Sequence, residues 1–242
     1  MKALIFAAGL GTRLYPITQD IPKALAKIGD RPLLEIVIHR LIQFGVSDII
    51  INVHHFADKI IEFVNSYNSF GINIQFSNES DQILDTGGGL LKASWFFDSD
   101  QPFLVHNVDV LSDIDLYDFY RFHLQSGALA SLAVRKRITT RYLLLDKDHV
   151  LCGWKNEKTG ETKIIHPKDE LSNYAFSGIH IIDPRIFSQM VETDRFSIID
   201  LYLRLARTNV ISGYDHSTTM WFDLGKPENL KEAEKMISKI DL

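Results

Sequence analysis

MKALIFAAGLGTR, residues 1–13, is the stretch that decides the fold. Residues 3–8 are a continuous run of small and branched apolar side chains, which predicts a strand buried on both faces of a sheet. Gly9 and Gly11 follow that strand directly. Glycines at such a turn let the backbone take positive φ and let bare N–H groups approach an anion. The stretch therefore predicts a buried strand that ends in a loop able to hold phosphate.

Two common phosphate-binding patterns fail at this loop. The dinucleotide fingerprint Gly-x-Gly-x-x-Gly requires a third glycine where Leu14 stands, which argues against a nicotinamide dehydrogenase. Asp30 lies at about the distance where that fingerprint has an acidic ribose ligand, but the sequence Gly-Asp-Arg-Pro at 29–32 is more typical of a tight turn. The Walker A pattern fails because no Gly-Lys-Ser/Thr follows. What remains is a glycine loop with Arg13, and Lys23 further along, a combination that suits a triphosphate.

The composition narrows the class of protein. The chain has 242 residues, 45% of them hydrophobic and 24% charged, with a net charge of -5, which is typical of one soluble globular domain without a basic face for nucleic acid. Cys152 is the only cysteine, so no intrachain disulfide forms. No apolar run is long enough to span a bilayer, and no cleavage site follows the apolar start. We expect a cytoplasmic protein with no membrane or nucleic-acid partner.

Helix and strand patterns alternate through the first part of the chain. The predicted elements after the first strand are a helix at 32–45, a strand at 49–53, a helix at 57–67, a strand at 71–76 and a strand at 102–110. This alternation is typical of a doubly wound α/β fold, in which ligands collect at the carboxyl ends of the parallel strands. His54 and His55 follow one such strand. Adjacent side chains point to opposite faces, so we expect structural or hydrogen-bonding roles for them, with a sugar contact as the alternative.

Three glycines in a row, Gly87 to Gly89, follow Leu84-Asp85-Thr86. Because consecutive glycines are costly in any ordered element, they predict a place where the backbone contacts a ligand or turns sharply. The alternative is a simple loop that leads into a helix.

Asp109 ends the apolar run that begins at Pro102. A buried carboxylate is costly unless a positive group meets it, so Asp109 is predicted to pair with or bind a cation. Asp113 and Asp115 lie close by in Ser-Asp-Ile-Asp, which is typical of a helix N-terminus, and both are predicted to be caps.

The second part of the chain is predicted to contain four short strands, two helices, another strand and a last helix. Their predicted ranges are 128–135, 142–146, 150–154 and 162–166 for the strands, 184–191 and 197–208 for the helices, and 210–214 for the next strand. The last helix follows Pro227 and has apolar positions at Leu230, Ala233, Ile237 and Ile240. A basic cluster, Arg135, Lys136, Arg137 and Arg141, is interpreted as a solvated strand end.

Four blocks of this sequence resemble the sugar-1-phosphate nucleotidylyltransferases. Residues 7–25, with Gly-Leu-Gly-Thr-Arg-Leu-Tyr-Pro-Ile-Thr and then Pro-Lys-Ala-Leu, resemble the family signature G-x-G-(T/E)-R-(L/M)-x-P-x-T and P-K-x-L. Residues 84–89 resemble the base-recognition loop L-(E/D)-T-G-G-G, in the form most like N-acetylmuramate α-1-phosphate uridylyltransferases. Residues 220–227 resemble the element W-x-D-(V/I)-G-(T/K)-P, and residues 173–179 resemble a strand that lines the sugar.

The resemblance implies a fold and a reaction. The fold is a single-domain, Rossmann-like three-layer sandwich with a central, mostly parallel mixed sheet, in which residues 1–110 form a nucleotide-binding half and residues 111–242 a sugar-phosphate-binding half. In the reaction, an oxygen of the sugar 1-phosphate attacks the α-phosphorus of a nucleoside triphosphate in line, and diphosphate leaves. We expect the chain to be the catalytic module alone, as a monomer or small homo-oligomer.

The resemblance also implies roles for individual residues. Arg13 and Lys23 are the expected catalytic residues, on the departing diphosphate and the reacting phosphates, and Asp109 and Asp223 are the expected ligands of Mg²⁺. For Asp223 the alternative is a cap of the last helix. The expected nucleotide-binding residues are Ala8, Gly9, Gly11, Thr12, Arg13, Lys23, Asp85, Thr86, Gly87 and Gly88. The expected sugar-phosphate-binding residues are Asn107, Asn173, Ser177 and Gly178.

Two departures from the family pattern concern the acceptor. Val108 stands where the family usually has glycine, which places a side chain near the sugar phosphate, and no Glu-Lys-Pro motif for the acceptor phosphate is found. From the triple glycine we expect UTP and N-acetylmuramate 1-phosphate as substrates. GTP with mannose or heptose 1-phosphate is the alternative, and a catalytically silent sugar-nucleotide sensor is a third hypothesis.

Overall fold

The computed structural model describes residues 1–79 and 81–236. The strands of these residues, in chain order, are β1 (Lys2–Phe6), β2 (Lys27–Ile28), β3 (Arg31–Pro32), β4 (Asp48–Val53), β5 (Asn73–Asn78), β6 (Phe103–Asn107), β7 (Val110–Ser112), β8 (Ala130–Arg135), β9 (Arg141–Leu145), β10 (Leu151–Asn156), β11 (Glu161–Ile164), β12 (Ser172–Ile182), β13 (Ile211–Asp215) and β14 (Trp221–Asp223). The helices are α1 (Leu33–Gln43), α2 (Ala57–Ser66), α3 (Asp85–Lys92), α4 (Leu116–Ser126), α5 (Ile198–Leu205) and α6 (Pro227–Met236). None of these helices is long and apolar enough to cross a bilayer.

A mixed sheet forms the middle of the molecule. Its strand order is β11-β10-β9-β12-β6-β1-β4-β5, and β8 pairs with both β12 and β13. The pairs β1–β4, β1–β6 and β4–β5 are parallel, so these four strands end at the same edge. The long strand β12 runs antiparallel to β6 and joins the parallel strands to the antiparallel ones. The polar residues that follow these parallel strands therefore lie along this edge of the sheet.

Alternate residues of β1 face two different cores. Ala3 and Ile5 belong to a cluster that includes apolar side chains of α1, α2, α4 and α6, whereas Leu4 and Phe6 belong to a cluster that includes side chains of α3 and α5. All four are less than 10% exposed. Burial of a large aliphatic side chain such as Leu4 or Ile5 contributes about 1.5–3 kcal/mol to stability. The predicted α/β fold, with helices on both faces of a central mixed sheet, is therefore confirmed.

Several local predictions need correction. The strand predicted at 102–110 ends at Asn107, because a turn at 108–109 leads into β7, which pairs with β14. The helix predicted at 184–191 is a 3-10 helix, Pro184–Gln189. The predicted helix positions Ile237 and Ile240 lie outside the described residues.

The two predicted caps have different roles. Asp115 caps α4, since its carboxylate accepts the Asp118 N–H at 2.9 Å. Asp113 is not a helix cap; its carboxylate accepts the Met220 N–H at 2.7 Å and so fixes the segment that leads into β14.

Candidate active site

The glycine loop folds back on the residues that follow it. Gly11 has φ +67°, and a Cβ at this position would lie 3.0 Å from Thr18 Cγ2 and 3.1 Å from Lys23 Cβ. The Thr18 hydroxyl donates to the Gly11 carbonyl at 2.8 Å. Because a side chain at Gly11 would be strained and would crowd both neighbours, glycine keeps the loop close to Lys23. Arg13 lies in the short 3-10 helix that continues the loop, Thr12–Leu14.

Four charged side chains meet beside this loop. The Lys23 ammonium contacts Asp109 Oδ2. Arg13 reaches both carboxylates, with Nη2 3.9 Å from Asp109 Oδ2 and Nη1 3.4 Å from Asp223 Oδ2. This charged cluster, Arg13, Lys23, Asp109 and Asp223, unites residues that lie far apart in the sequence.

The pairing of β7 with β14 positions the second carboxylate. Their register places Asp223 opposite Val110, next to Asp109. The Leu224 N–H donates to the Asp109 carbonyl at 2.7 Å, and the Asn229 amide donates to the Asp223 carbonyl at 2.6 Å. The Asp223 carboxylate also accepts the Gly225 N–H at 2.9 Å. Strand and helix contacts therefore hold both aspartates at the end of the parallel sheet.

A cavity of about 290 Å³ opens from the charged cluster along the ends of β1, β4 and β6. We call it the nucleotide cavity; its lining residues are Phe6, Ala8, Gly9, Lys23, Asn52, Glu79, Ile83, Asp85, Thr86, Asn107, Val108, Asp109 and Arg195. A cavity of about 310 Å³ adjoins it along the glycine loop and has Thr12, Arg13 and Gly225 in its lining. The structure thus brings most of the expected nucleotide-binding residues to one continuous space.

Gly87 and Gly88 do not line the nucleotide cavity, because α3 begins at Asp85 and includes all three glycines. The Gly87 N–H donates to the Phe196 carbonyl at 2.9 Å. A Cβ at Gly87 would lie 2.3 Å from the Phe196 ring, and one at Gly88 would lie 2.4 Å from the Asp194 carbonyl. The expected close approach of backbone is present, but at these two positions α3 packs against the chain's own segment 194–196 instead of a ligand.

A buried polar pair that the sequence analysis did not identify connects two walls of the nucleotide cavity. Asn52 Oδ1 accepts the N–H groups of Ala7 and Ala8 at 2.6 and 3.2 Å, and Asn52 Nδ2 donates to Glu79 Oε1 at 2.8 Å. Glu79 Oε2 accepts the Leu84 N–H at 3.3 Å. The pair therefore ties the end of β1 to the start of α3. No local pattern marks it, since its partners are distant in sequence.

Burial raises the pKa of Glu79 above its ordinary value of 4.5, against the opposing effect of the hydrogen bonds from Asn52 and Leu84. A carboxyl whose pKa is raised in the folded state binds its proton more tightly in the native state than in the unfolded state. The native state is therefore stabilised as the pH falls through the interval above 4.5 and destabilised as the pH rises through it. We expect the free energy of unfolding of the wild type, relative to Glu79→Gln, to decrease as the pH is raised through this interval. Urea denaturation of both proteins at several pH values measures this difference. A difference that increases with pH would contradict the assignment.

The residues expected around the sugar divide into two groups. Asn107, Ser177 and Gly178 line a cavity of about 160 Å³ together with Arg13, Asp109, Val110, Arg137, Phe176, Trp221 and Asp223, and we call it the acceptor cavity. Asn173 is exposed and does not line it, because it lies before the β12 irregularity at 176–180, opposite Leu144 in β9.

Ser177 is held firmly within the acceptor cavity. Its hydroxyl is 2.7 Å from His216 Nε2, and its carbonyl accepts the Trp221 indole N–H at 2.9 Å. Burial lowers the pKa of His216 to about 4, so this imidazole is neutral at neutral pH. Ser177 thereby fixes Trp221, the residue two positions before Asp223.

Val108 and His54 have mainly local roles. The Val108 N–H donates to the Phe6 carbonyl at 3.1 Å, and its side chain is buried in the core although it also borders the nucleotide cavity. His54 Nδ1 lies 2.6 Å from the Glu79 carbonyl. Among residues 1–79 and 81–236, no three histidine, cysteine, aspartate or glutamate side chains are grouped as a metal site. The contact of His54 with the Glu79 carbonyl agrees with the structural or hydrogen-bonding role predicted for it.

The sequence profile of one family, described as nucleotidyl transferase, matches residues 2–240. The chain belongs to the nucleotidyl transferase family. A UTP–glucose-1-phosphate uridylyltransferase of Synechocystis is 28% identical over 96% of this chain. A mannose-1-phosphate guanyltransferase of Schizosaccharomyces pombe is 28% identical over 95% of it. The chain spans 62% of the length of each of these two relatives.

Another relative in the nucleotidyl transferase family matches in length as well. An N-acetylmuramate alpha-1-phosphate uridylyltransferase of Neisseria meningitidis is 29% identical over 98% of both chains. Solved structures share the fold at lower identity. HddC from Yersinia pseudotuberculosis, crystallised with GMP-PN, has a TM-score of 0.79 at 24% identity and covers 98% of this chain and 99% of its own. A glucose-1-phosphate thymidylyltransferase from Bacillus anthracis, described as putative, has a TM-score of 0.81 at 22% identity and covers 100% and 97%.

Proposed function

We propose that this chain transfers a nucleotidyl group from a nucleoside triphosphate to a sugar 1-phosphate and releases diphosphate. The charged cluster carries the proposal, because Arg13, Lys23, Asp109 and Asp223 meet where the nucleotide cavity and the acceptor cavity adjoin. Two substrates placed in these cavities have their phosphates at the cluster. Holding two reactants in such proximity is a major part of catalysis at phosphorus.

The nucleotide cavity and the adjoining cavity of about 310 Å³ along the glycine loop accommodate the triphosphate substrate. The bare backbone of Gly9 and Gly11 lies along the phosphate path, with Arg13 and Lys23 as cations beside it. Asp85 and Thr86, which line the nucleotide cavity, lie near the base. The acceptor approaches from the other side, where Asn107 and Gly178 line the acceptor cavity.

Asp109 and Asp223 fit a magnesium site that the substrates complete. Mg²⁺ prefers oxygen ligands and is commonly bound through one or two carboxylates, with waters and substrate phosphates as the other ligands. The two carboxylates are held close to one another, since a single guanidinium contacts both. When bound, Mg²⁺ supplies positive charge to the phosphate oxygens. This additional positive charge is required because the two aspartates already balance the charges of Arg13 and Lys23.

The reaction requires positioning and charge neutralisation from the protein. An oxygen of the sugar 1-phosphate attacks the α-phosphorus in line, the bond from that phosphorus to the oxygen bridging the α- and β-phosphorus breaks, and diphosphate leaves with that oxygen. Arg13 neutralises the departing diphosphate, and Lys23 neutralises the reacting phosphates. Fixed positive groups aimed at developing charge are the usual source of rate enhancement in such transfers. No covalent intermediate with the enzyme is required.

UTP and N-acetylmuramate 1-phosphate are the substrates we propose. The sequence Leu-Asp-Thr-Gly-Gly-Gly at 84–89 and the full-length match to the Neisseria uridylyltransferase support this choice. GTP with mannose or heptose 1-phosphate is the second candidate, supported by the guanyltransferase relative at similar identity. The presence of all four charged residues argues against a catalytically silent sensor.

Diphosphate release with Mg²⁺ tests the proposal. UTP, GTP, dTTP, CTP and ATP are each combined with the 1-phosphates of N-acetylmuramate, N-acetylglucosamine, glucose, mannose and heptose. We expect the fastest release from UTP with N-acetylmuramate 1-phosphate. A preference for GTP would support the second candidate. Release from none of the pairs, together with binding of a sugar nucleotide, would contradict the enzyme proposal and favour the sensor.

A further inference from the structure

A fourth cavity, of about 240 Å³, adjoins the acceptor cavity. We call it the arginine cavity; its lining residues are Arg137, Thr139, Arg141, Tyr142, Leu143, Trp154, Phe176 and Ile199. It shares Arg137 and Phe176 with the acceptor cavity. The two cavities therefore adjoin at Arg137, and Arg141 lies in the lining of the arginine cavity.

Arg137 is held in place without a carboxylate partner. Its guanidinium lies 4.5 Å from the centre of the Trp221 ring, a stacking contact that fixes its orientation. Its Nη2 donates to the Phe176 carbonyl at a long 3.4 Å, and its buried Nε has no hydrogen-bond partner among the described residues. Burial lowers the pKa of this guanidinium. A partly buried cation with free donors is stabilised when an anion binds to it.

The other charges around the arginine cavity are already paired. Lys155 and Lys163 lie over the Tyr142 and Trp154 rings at 5.2 and 5.4 Å. Lys155 pairs with Glu157 at 3.0 Å, and Lys163 pairs with Asp200 at 2.9 Å.

Arg137 and Arg141 differ from these two lysines. Neither arginine forms an ion pair with any residue within 1–79 or 81–236. The cavity thus combines two unpaired guanidinium groups with the aromatic side chains of Tyr142, Trp154 and Phe176. Guanidinium groups hold carboxylates and phosphates through paired hydrogen bonds, and aromatic rings suit the apolar faces of a sugar.

We propose that the arginine cavity binds a second anionic group on the acceptor, so that the preferred acceptor is a sugar 1-phosphate that also carries a carboxylate or a second phosphate. Arg141 contacts this second group, and Arg137 lies between it and the reacting phosphate. The inference rests on the proposed function, and it makes Arg137 and Arg141, two members of the basic cluster, part of substrate selection instead of a solvated strand end.

Two matched pairs of acceptors test the inference. N-acetylmuramate 1-phosphate differs from N-acetylglucosamine 1-phosphate by a lactyl carboxylate, and glucose 1,6-bisphosphate differs from glucose 1-phosphate by a second phosphate. Charge-assisted hydrogen bonds contribute about 1.5–3 kcal/mol, so we expect kcat/KM for the anionic member of at least one pair to be about 10-fold higher or more. The pair that responds identifies the anionic group.

The variant Arg141→Gln is expected to reduce this ratio about 10-fold, because the loss falls mainly on the anionic acceptor. Lys136→Gln is the matched control, since Lys136 belongs to the same basic cluster but lines neither cavity, and it should leave the ratio unchanged. Equal kcat/KM values within both pairs for the wild type would overturn the inference. So would a ratio that Arg141→Gln does not change.

Calorimetric binding of the same four compounds separates this inference from the proposed function. If no acceptor releases diphosphate, the catalytic proposal fails, but the cavity still predicts tighter binding of an anionic compound and weaker binding in Arg141→Gln. Binding that does not distinguish the members of either pair, or that is absent for all four compounds, would overturn the inference as well.

Discussion

Asp109→Asn is expected to lower kcat for diphosphate release by about 10³-fold or more, because removal of a group that neutralises transferring phosphates costs several kcal/mol of transition-state stabilisation. In the proposed mechanism, Asp109 contributes a carboxylate oxygen for Mg²⁺, and its contact with the Lys23 ammonium holds that cation beside the reacting phosphates. Asparagine has the same shape but loses both effects. Diphosphate release at saturating substrates and Mg²⁺ measures the change.

Asp113→Asn is the matched control for this prediction. It removes the same charge four residues away, but Asp113 accepts a hydrogen bond from Met220 and lines neither the nucleotide cavity nor the acceptor cavity. We expect its kcat to stay within a few-fold of the wild type. Circular dichroism of both variants establishes that they are folded. An Asp109→Asn enzyme that is folded and retains more than a tenth of wild-type kcat would contradict the role of Asp109.

Gly88→Ala is expected to destabilise the native state by about 2–3 kcal/mol, the range of a substitution that overpacks a core. A Cβ at Gly88 would lie 2.4 Å from the Asp194 carbonyl and 2.8 Å from Leu84 Cβ. One of these atoms belongs to the backbone, so α3 and segment 194–196 must move apart. The loss outweighs the roughly 1 kcal/mol that alanine gains over glycine inside a helix.

Gly9→Ala is the control for Gly88→Ala, because nothing lies within 4 Å of a Cβ at Gly9. Urea denaturation of the three proteins without ligand gives the free energies of unfolding. We expect Gly9→Ala to remain close to the wild type. Equal stability of Gly88→Ala and Gly9→Ala would mean that segment 194–196 yields easily and that the close packing has no energetic importance.

Most of the parallel half of the fold could be predicted from local sequence, because β1, β4 and β6 are buried on both faces. Ala3 to Phe6 are all apolar, and the structure divides them between two cores. The turn after β6 could not be predicted, since Val108 is apolar and continues the pattern of the strand. Only the pairing of β7 with the distant β14 shows where the strand ends.

The charged cluster could be predicted residue by residue, but its supports could not. Arg13 and Lys23 lie in a recognisable stretch, Asp109 ends an apolar run, and Asp223 lies in the segment 220–227 that resembles a family element. Asn52 and Glu79 meet only because β4 and β5 are adjacent. Arg195 reaches the nucleotide cavity because segment 194–196 packs on α3, and the sequence around it has no pattern that indicates a site.

The triple glycine was predicted to contact a ligand or to turn sharply, and at Gly87 and Gly88 the structure shows a close approach to the chain itself. Consecutive glycines indicate that something must come near the backbone, and they do not indicate what. Here the neighbours of Gly87 and Gly88 are Phe196 and Asp194, more than 100 residues away in the chain. A contact within the protein and a contact with a ligand require the same small residue.

The packing of α3 against segment 194–196 also bears on whether the two proposed halves can be separated. The Gly87 N–H needs the Phe196 carbonyl, and Thr86 Oγ1 accepts the Ile198 N–H at 3.1 Å. A fragment that stops near residue 110 leaves these groups, and a face of α3 without side chains, exposed to water. It also lacks Arg195 from the wall of the nucleotide cavity. We therefore expect residues 1–110 not to fold as an independent module, and a chimera that joins them to another acceptor half to require residues 194–198 as well.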